Sequence, residues 1–210
     1  MTIVIPAKAG IYVLDPRFRG DDVMPKKQGK LIVISAPSGC GKTTIVERLL
    51  EHNQDLTRSI SYTTRAPRPG EVNGRDYFFI SGKEFSAKER SGFFLESANV
   101  FGQSYGTSKE FVTDRLSQGL HVVLAIDVQG MKQLRGKVGP EFSMTSIFIM
   151  PPSVRALRAR LENRKTETKP EIDERLEIAK KEMAAQALYD FVVVNRKVDQ
   201  AVKTIEGIVK

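Results

Sequence analysis

Apolar and polar positions fall in blocks along most of the chain, and the period within each block separates strands from helices. Leu31-Ile32-Val33-Ile34 is an unbroken, largely β-branched apolar run, which predicts a strand buried on both faces. After a loop of small residues, Ile45, Val46, Leu49 and Leu50 return at helical spacing. His121 to Ile126, Ile147 to Met150 and Phe191 to Asn195 are further continuous apolar runs, the second halted by Pro151-Pro152. Between and after them the period lengthens. Helices are expected from Ser108 to Gln118 with a stop at Gly119, from Ser153 to about Asn163, from Pro170 to Leu188, and from Val198 to Val209. Fully apolar strands separated by helices predict an α/β fold whose parallel sheet is covered by helices on both faces.

Residues 61–107 break that rhythm. Ser59 to Thr63 and Tyr77 to Ile80 read as short strands, and Gly82 to Arg90 as a short helix that turns Phe85 inward. Phe93 to Glu96 and Ala98 to Phe101 suggest paired strands, with a turn at Gly102 before Tyr105-Gly106. This block is expected to be an inserted, mixed α/β substrate subdomain. Gly70, Gly102 and Gly106 are its candidate hinge points. The first 28 residues differ again: Pro6, Gly10, Pro16, Gly20 and Pro25 punctuate them too often for a long element. They are expected to be a poorly ordered extension or a mis-assigned start, with Met24 as the natural first residue. They are too short and broken for a secretory signal.

The small-residue loop carries the first chemistry. Ala36-Pro37-Ser38-Gly39-Cys40-Gly41-Lys42-Thr43-Thr44 lies between a buried strand and an amphipathic helix, the setting of a phosphate-binding P-loop. Gly39 and Gly41 let backbone N–H groups close around phosphate oxygens at a helix N-terminus. Lys42 can then reach the terminal phosphates of ATP, and the Thr43 hydroxyl can ligate Mg²⁺. Ala36 stands where the usual pattern has its first Gly. A second anion site is suggested by Arg65 and Arg68, three apart in a proline-stiffened loop, since guanidinium forks match phosphate oxygens. Tyr77 and Tyr105 can add hydroxyls to it. Glu96, set among aromatics, is a carboxylate in need of two donors. The N1–H and N2–H₂ edge of guanine offers that pair, and an ion pair with a neighbouring arginine would satisfy it as well.

Composition narrows the rest. The net charge of +8 suits an anionic partner, but the Lys and Arg are scattered, without the long basic block of a nucleic-acid arm. One cysteine excludes an internal disulfide and fits a reducing cytoplasm, while two histidines and that cysteine give no zinc cluster. No apolar run is long enough to span a bilayer. Nucleotide phosphates explain the charge excess equally well, and the expected partners are small-molecule nucleotides, with no nucleic acid and no membrane. Self-association is left open.

Several strings together resemble guanylate kinase: Ser38-Gly39-Cys40-Gly41-Lys42-Thr43-Thr44, Ser61-Tyr62-Thr63-Thr64-Arg65-Ala66-Pro67-Arg68, and Glu71-Val72-Asn73-Gly74-Arg75-Asp76-Tyr77. Tyr105-Gly106-Thr107, Ile126-Asp127-Val128-Gln129-Gly130 and Pro151-Pro152-Ser153 follow in the same order, so the resemblance runs from residue 30 to the end. It implies a P-loop NTPase-like core (29–60, 108–157 and 176–210), a GMP-binding subdomain (61–107) and a helical lid (about 158–175). By that similarity Ser61 and Thr107 bond the guanine O6, while Glu96 and Asp127 read N1 and N2. Arg65, Arg68, Tyr77 and Tyr105 hold the GMP phosphate beside Gly106, and Glu71 supports their loop. Arg160, Arg164 and Arg175 fall at the lid arginines, and Asn195 at a contact to the adenine end of ATP.

The implied activity is Mg²⁺-requiring, ATP-dependent phosphorylation of GMP, and of dGMP with it, in purine metabolism. Two departures join Ala36: Ala125 replaces a usual acidic residue, and Lys165 a common Gly. Two other readings compete. A P-loop kinase for a different acceptor would not need Ser61, Glu96, Thr107 and Asp127. A non-catalytic interaction module would not need Lys42, Thr43 and the arginines.

Overall fold

The structure, a computed structural model, describes residues 29–100, 102–137, 143–163 and 168–210. The expectation for residues 1–28 lies outside them, as do Arg164 and Lys165. In chain order the elements are β1 (Leu31–Ser35), α1 (Lys42–His52), β2 (Leu56–Arg58), β3 (Tyr62–Thr63), β4 (Phe78–Phe79), α2 (Gly82–Arg90), β5 (Phe94–Val100) and β6 (Gln103–Ser108). There follow α3 (Lys109–Ser117), β7 (His121–Ala125), α4 (Val128–Lys137), β8 (Met144–Met150), α5 (Val154–Asn163), α6 (Lys169–Ala184), β9 (Phe191–Val194) and α7 (Val198–Val209).

Five strands form one sheet in the order β2-β7-β1-β8-β9, and every pairing in it is parallel. Its two faces carry separate apolar cores. Ile32, Ile34, Val123, Ile147 and Ile149 pack with α1, α5, α6 and α7 on one side. Leu31, Val33, Val122, Leu124 and Phe148 pack with α3 and α4 on the other. This double coverage explains why β1, β7 and β8 read as continuous apolar runs rather than alternating ones. Each fully buried large side chain contributes about 1.5–3 kcal/mol relative to exposure.

Four further strands form a second sheet, ordered β4-β3-β6-β5. Here the sequence reading needs correction. The pieces expected at 93–96 and 98–101 are one strand, β5, which pairs antiparallel with β6 across the turn at Gly102. A register irregularity between Phe94 and Glu96 breaks the alternation that would have shown a single strand. A Cβ on Gly106 would lie 2.8 Å from the Phe94 ring, so this glycine admits an aromatic side chain. The helix α4 escaped notice because its inward residues, Val128, Gly130, Met131 and Leu134, include a glycine that carries no hydropathy signal. The segment expected as one helix to Leu188 is α6 followed by a 3₁₀ turn over Ala185–Leu188.

Candidate active site

The first cradle forms where β1 ends at the sheet's carboxyl edge and the chain turns into α1. Gly39 and Gly41 have φ of 87° and 85°, a left-handed conformation open to glycine at little cost. Both are also tightly faced. A side chain at Gly39 would strike Leu161 of α5, and one at Gly41 would press on the Asn195 amide. The Ala36 methyl, by contrast, is buried within the core cluster, so the departure from glycine costs nothing there. Thr43 and Thr44 are exposed on the first turn of α1. Lys42 turns its ammonium inward and donates to the Ile126 carbonyl at 2.9 Å. Burial lowers its pKa, against the pull of Asp127, Glu182 and Glu96.

Helix α6 grips this loop from above. Arg175 donates to the Ser38 hydroxyl at 2.9 Å, and the Ser38 backbone N–H donates to Glu182. The two residues are seven apart, two turns of one helix face. Burial, helped by Asp127, pushes the Glu182 carboxyl up to about 7. Its second oxygen is buried without a partner. Sequence reasoning missed Glu182. The readable signal was a carboxylate three residues beyond Ala179 on the stripe of Ile172, Leu176 and Ala179 that faces the core.

Asn195, expected at the adenine end of ATP, lies beside the P-loop. It is 1% exposed and donates its amide to the Cys40 carbonyl at 2.8 Å, supporting the P-loop from behind. A buried amide there gives the turn's carbonyl a partner that water cannot supply. Arg160 in turn donates to the Asn195 carbonyl at 2.8 Å.

The second cradle is built from side chains. Arg65 donates from one guanidinium nitrogen, Nη2, to both Glu71 oxygens at 2.8 and 2.9 Å, and Glu71 also accepts the Arg68 backbone N–H at 2.7 Å. Although burial opposes the charge on each, the pair more than compensates: Arg65 is shifted up and Glu71 down. The guanidinium lies 5.3 Å from the centre of the Tyr77 ring, and the Tyr77 and Tyr105 rings are 6.0 Å apart. Arg68 is exposed, and Ser61, half-buried, accepts the Phe78 N–H through its carbonyl at 2.9 Å.

Behind these lies the acidic group. Glu96 is 3% exposed, and burial lifts its pKa to about 7 despite a 2.6 Å hydrogen bond from the Thr107 hydroxyl. Thr107, expected to reach guanine O6, donates here to the buried Glu96 carboxylate, which needs a donor. Asp127 caps α4 by accepting the Gly130 N–H at 2.8 Å. A Cβ on Gly130 would sit 2.4 Å from the Glu96 carboxylate, so this glycine, missed as a site residue, makes room for it.

Two facing anion cradles on a P-loop α/β core, with cations on both sides, define a nucleotide-dependent phosphotransferase. The guanylate kinase family profile matches residues 28–210. The chain is 47% identical over 187 residues to the guanylate kinase of Wolbachia sp. subsp. Brugia malayi, covering 87% of this chain and 93% of that relative. It is 48% identical over 184 residues to that of Caldanaerobacter subterraneus subsp. tengcongensis, covering 88% of each. Among solved structures, the guanylate kinase from Anaplasma phagocytophilum superposes with a TM-score of 0.73 at 33% identity, over 89% of this chain and 87% of that one. The chain belongs to the guanylate kinase family. It is an enzyme whose reaction is the ATP-dependent phosphorylation of GMP.

Proposed function

We propose that the two cradles divide that reaction between them, the P-loop taking ATP and the residue 61–107 insert taking GMP. Residues 36–44 wrap the ATP phosphates, while Asn195 and Arg160 hold the loop's shape. Arg65, Arg68, Tyr77 and Tyr105 hold the GMP phosphate, with Glu71 keeping Arg65 pointed. Ser61, Thr107 and Gly106 line the base, and Glu96 and Asp127 accept from guanine N1–H and N2–H₂. The domain division is core 29–60, 108–157 and 176–210, insert 61–107, and lid about 158–175. Arg164 belongs to the lid by position, beside Arg160 and Arg175.

The GMP phosphate oxygen attacks the γ-phosphorus of ATP in line and expels ADP. A phosphate monoester is nucleophilic near neutral pH, so no base is required, and positioning with charge neutralisation carries the rate. Lys42 leaves the Ile126 carbonyl for the transferring phosphoryl group, and Arg65, Arg160 and Arg175 neutralise charge around it. The donor set fits Mg²⁺: the exposed Thr43 hydroxyl is a hard oxygen beside the phosphate cradle. Among the described residues no group of three or more acidic or other metal-binding side chains forms an all-protein site, in keeping with an ion held chiefly by phosphates and water. When bound, the ion supplies neutralisation of the phosphate charge. Among the described residues no helix is long and apolar enough to cross a membrane, and the proposed setting is the cytoplasm.

Glu96 is the observation that carries the substrate assignment: a buried acceptor whose donor is Thr107, placed behind the Arg65 cradle. Adenine offers an acceptor where guanine offers a donor and would leave it unpaired. A coupled ADP-release assay with GMP, dGMP, AMP and UMP tests this. Turnover is expected with GMP and dGMP, and equal turnover with AMP would overturn the guanine assignment.

A further inference from the structure

Strand β5 is the open edge of the small sheet, yet its outward backbone groups are not left bare. Three side chains of α4 meet them in order. Gln129 donates to the Asn99 carbonyl at 3.0 Å, Gln133 donates to the Ser97 carbonyl and accepts the Ser97 N–H at 3.2 Å, and Lys137 donates to the Leu95 carbonyl at 3.1 Å. Helix positions i, i+4 and i+8 thus meet strand positions 99, 97 and 95. The match is geometric: four helical residues rise about 6.0 Å and two strand residues about 6.6 Å. An edge strand presents a row of unpaired N–H and C=O groups that needs covering. Here a helix in the core supplies side chains in register with it.

We infer that this α4–β5 ladder is a positioning device for guanine selection, fixing the spacing between Glu96 in the insert and Asp127 in the core. Its rungs bracket both carboxylates. Leu95 and Ser97, which flank Glu96, each accept a rung. Gln129 also donates to Asp127 at 3.3 Å. Gly130, without a side chain, lets the Glu96 carboxylate lie against the first turn of the same helix. Two acceptors must match the N1–H to N2–H₂ spacing of one base edge, and they come from different sheets. A slide of β5 along α4 by one rung would separate them by several ångströms. Gln133 is half-buried and double-bonded to Ser97, so it is the central rung. Lys137, at the rim, also offers a positive charge toward Glu96.

The inference rests on Glu96 and Asp127 reading guanine, and its test separates the two claims. Gln133→Met and Lys137→Met together remove the central rung and the rim rung while keeping length and helix propensity. The expected result is a KM for GMP raised about tenfold, equivalent to ~1.4 kcal/mol, with kcat and the KM for ATP within about twofold of wild type. Lys137→Arg keeps the rim donor, and in the Gln133→Met background it should recover part of the loss. Glu96→Gln is measured alongside. If it raises the KM for GMP and the double variant does not, the ladder is only subdomain packing and the inference fails. If Glu96→Gln itself leaves GMP binding unchanged, the base reader lies elsewhere and the underlying assignment fails instead. A double variant that lowers the melting temperature, or raises the KM for both nucleotides alike, also overturns the inference.

Discussion

The two proposed anion cradles divide similar electrostatic tasks between opposite materials. On the proposed ATP side the chain from Ala36 to Thr44 turns once and offers its own backbone N–H groups. On the proposed GMP side Arg65, Glu71 and Tyr77 come from the one loop between β3 and β4, and Tyr105 joins them from β6, so the site depends on side chains meeting across the small sheet. The first is fixed by close approach: Leu161 and Asn195 sit where side chains on Gly39 and Gly41 would go. The second is held by charge, with the Glu71 carboxylate on Nη2 of Arg65. Backbone cradles tolerate little substitution but keep their shape without ligand. Side-chain cradles depend on each partner, so single substitutions should act there in graded ways.

The largest expected effect tests the backbone side. Lys42→Met should lower kcat about a thousandfold or more, since its ammonium has no substitute at the transferring phosphoryl group. The melting temperature should hold, because the one hydrogen bond lost is to the Ile126 carbonyl. Coupled ADP release with a thermal melt measures both. Near-wild-type turnover would show that the cradle's backbone suffices and would take Lys42 out of the transfer step. Arg65→Ala comes next. It removes a phosphate contact and leaves the half-buried Glu71 with a single backbone donor, Arg68 N–H. A loss of about 3–5 kcal/mol in kcat/KM for GMP is expected, the scale for breaking a desolvated charge pair. Glu71→Gln should cost less, because the guanidinium then keeps its fork for the phosphate.

The base reader gives a sharper and smaller effect. Folding raises the Glu96 carboxyl from 4.5 to about 7, so between those values the native state holds a proton that the unfolded chain has lost. Its contribution to stability is therefore present at low pH and falls away as pH rises through about 7. Guanine needs the ionised form, so kcat/KM for GMP should drop as pH falls below about 7, while the KM for ATP stays level. Glu182 also titrates near 7 and the GMP phosphate near about 6, so the decisive measurement is the difference from Glu96→Gln. That variant should raise the KM for GMP about tenfold or more and lose the part of the profile that belongs to Glu96. An unchanged profile would remove Glu96 from recognition.

The same contrast explains what was readable beforehand. The P-loop, the parallel sheet and helices such as α2 and α7 follow from contiguous residues, so periodicity and spacing display them. The assembled features do not show themselves that way. Asn195 supports the P-loop from 155 positions away, and Glu182 reaches Ser38 from the far end of α6. The bulge near Glu96 hid one strand as two, and Gly130 hid both a helix face and the space for a carboxylate. Motif resemblance located Glu96 and Asp127, but α4, the element that joins them, carries no motif of its own beyond its first turn.

The smallest effect separates packing from chemistry within the P-loop itself. Cys40 lies one residue before Gly41 at the start of α1, where a helix N-terminus favours thiolate. Yet the residue is fully buried and belongs to the apolar cluster beneath the sheet, and its carbonyl, not its sulfur, meets the Asn195 amide. A buried sulfur acts as a small hydrophobe. Cys40→Ala should therefore lower stability by about 1 kcal/mol while leaving kcat and both KM values within about twofold. Peroxide should inactivate wild type and variant at equal rates. Protection by Cys40→Ala would mean that the thiol is reached through an opening of the loop, and the ATP cradle would then be less rigid than its glycine contacts imply.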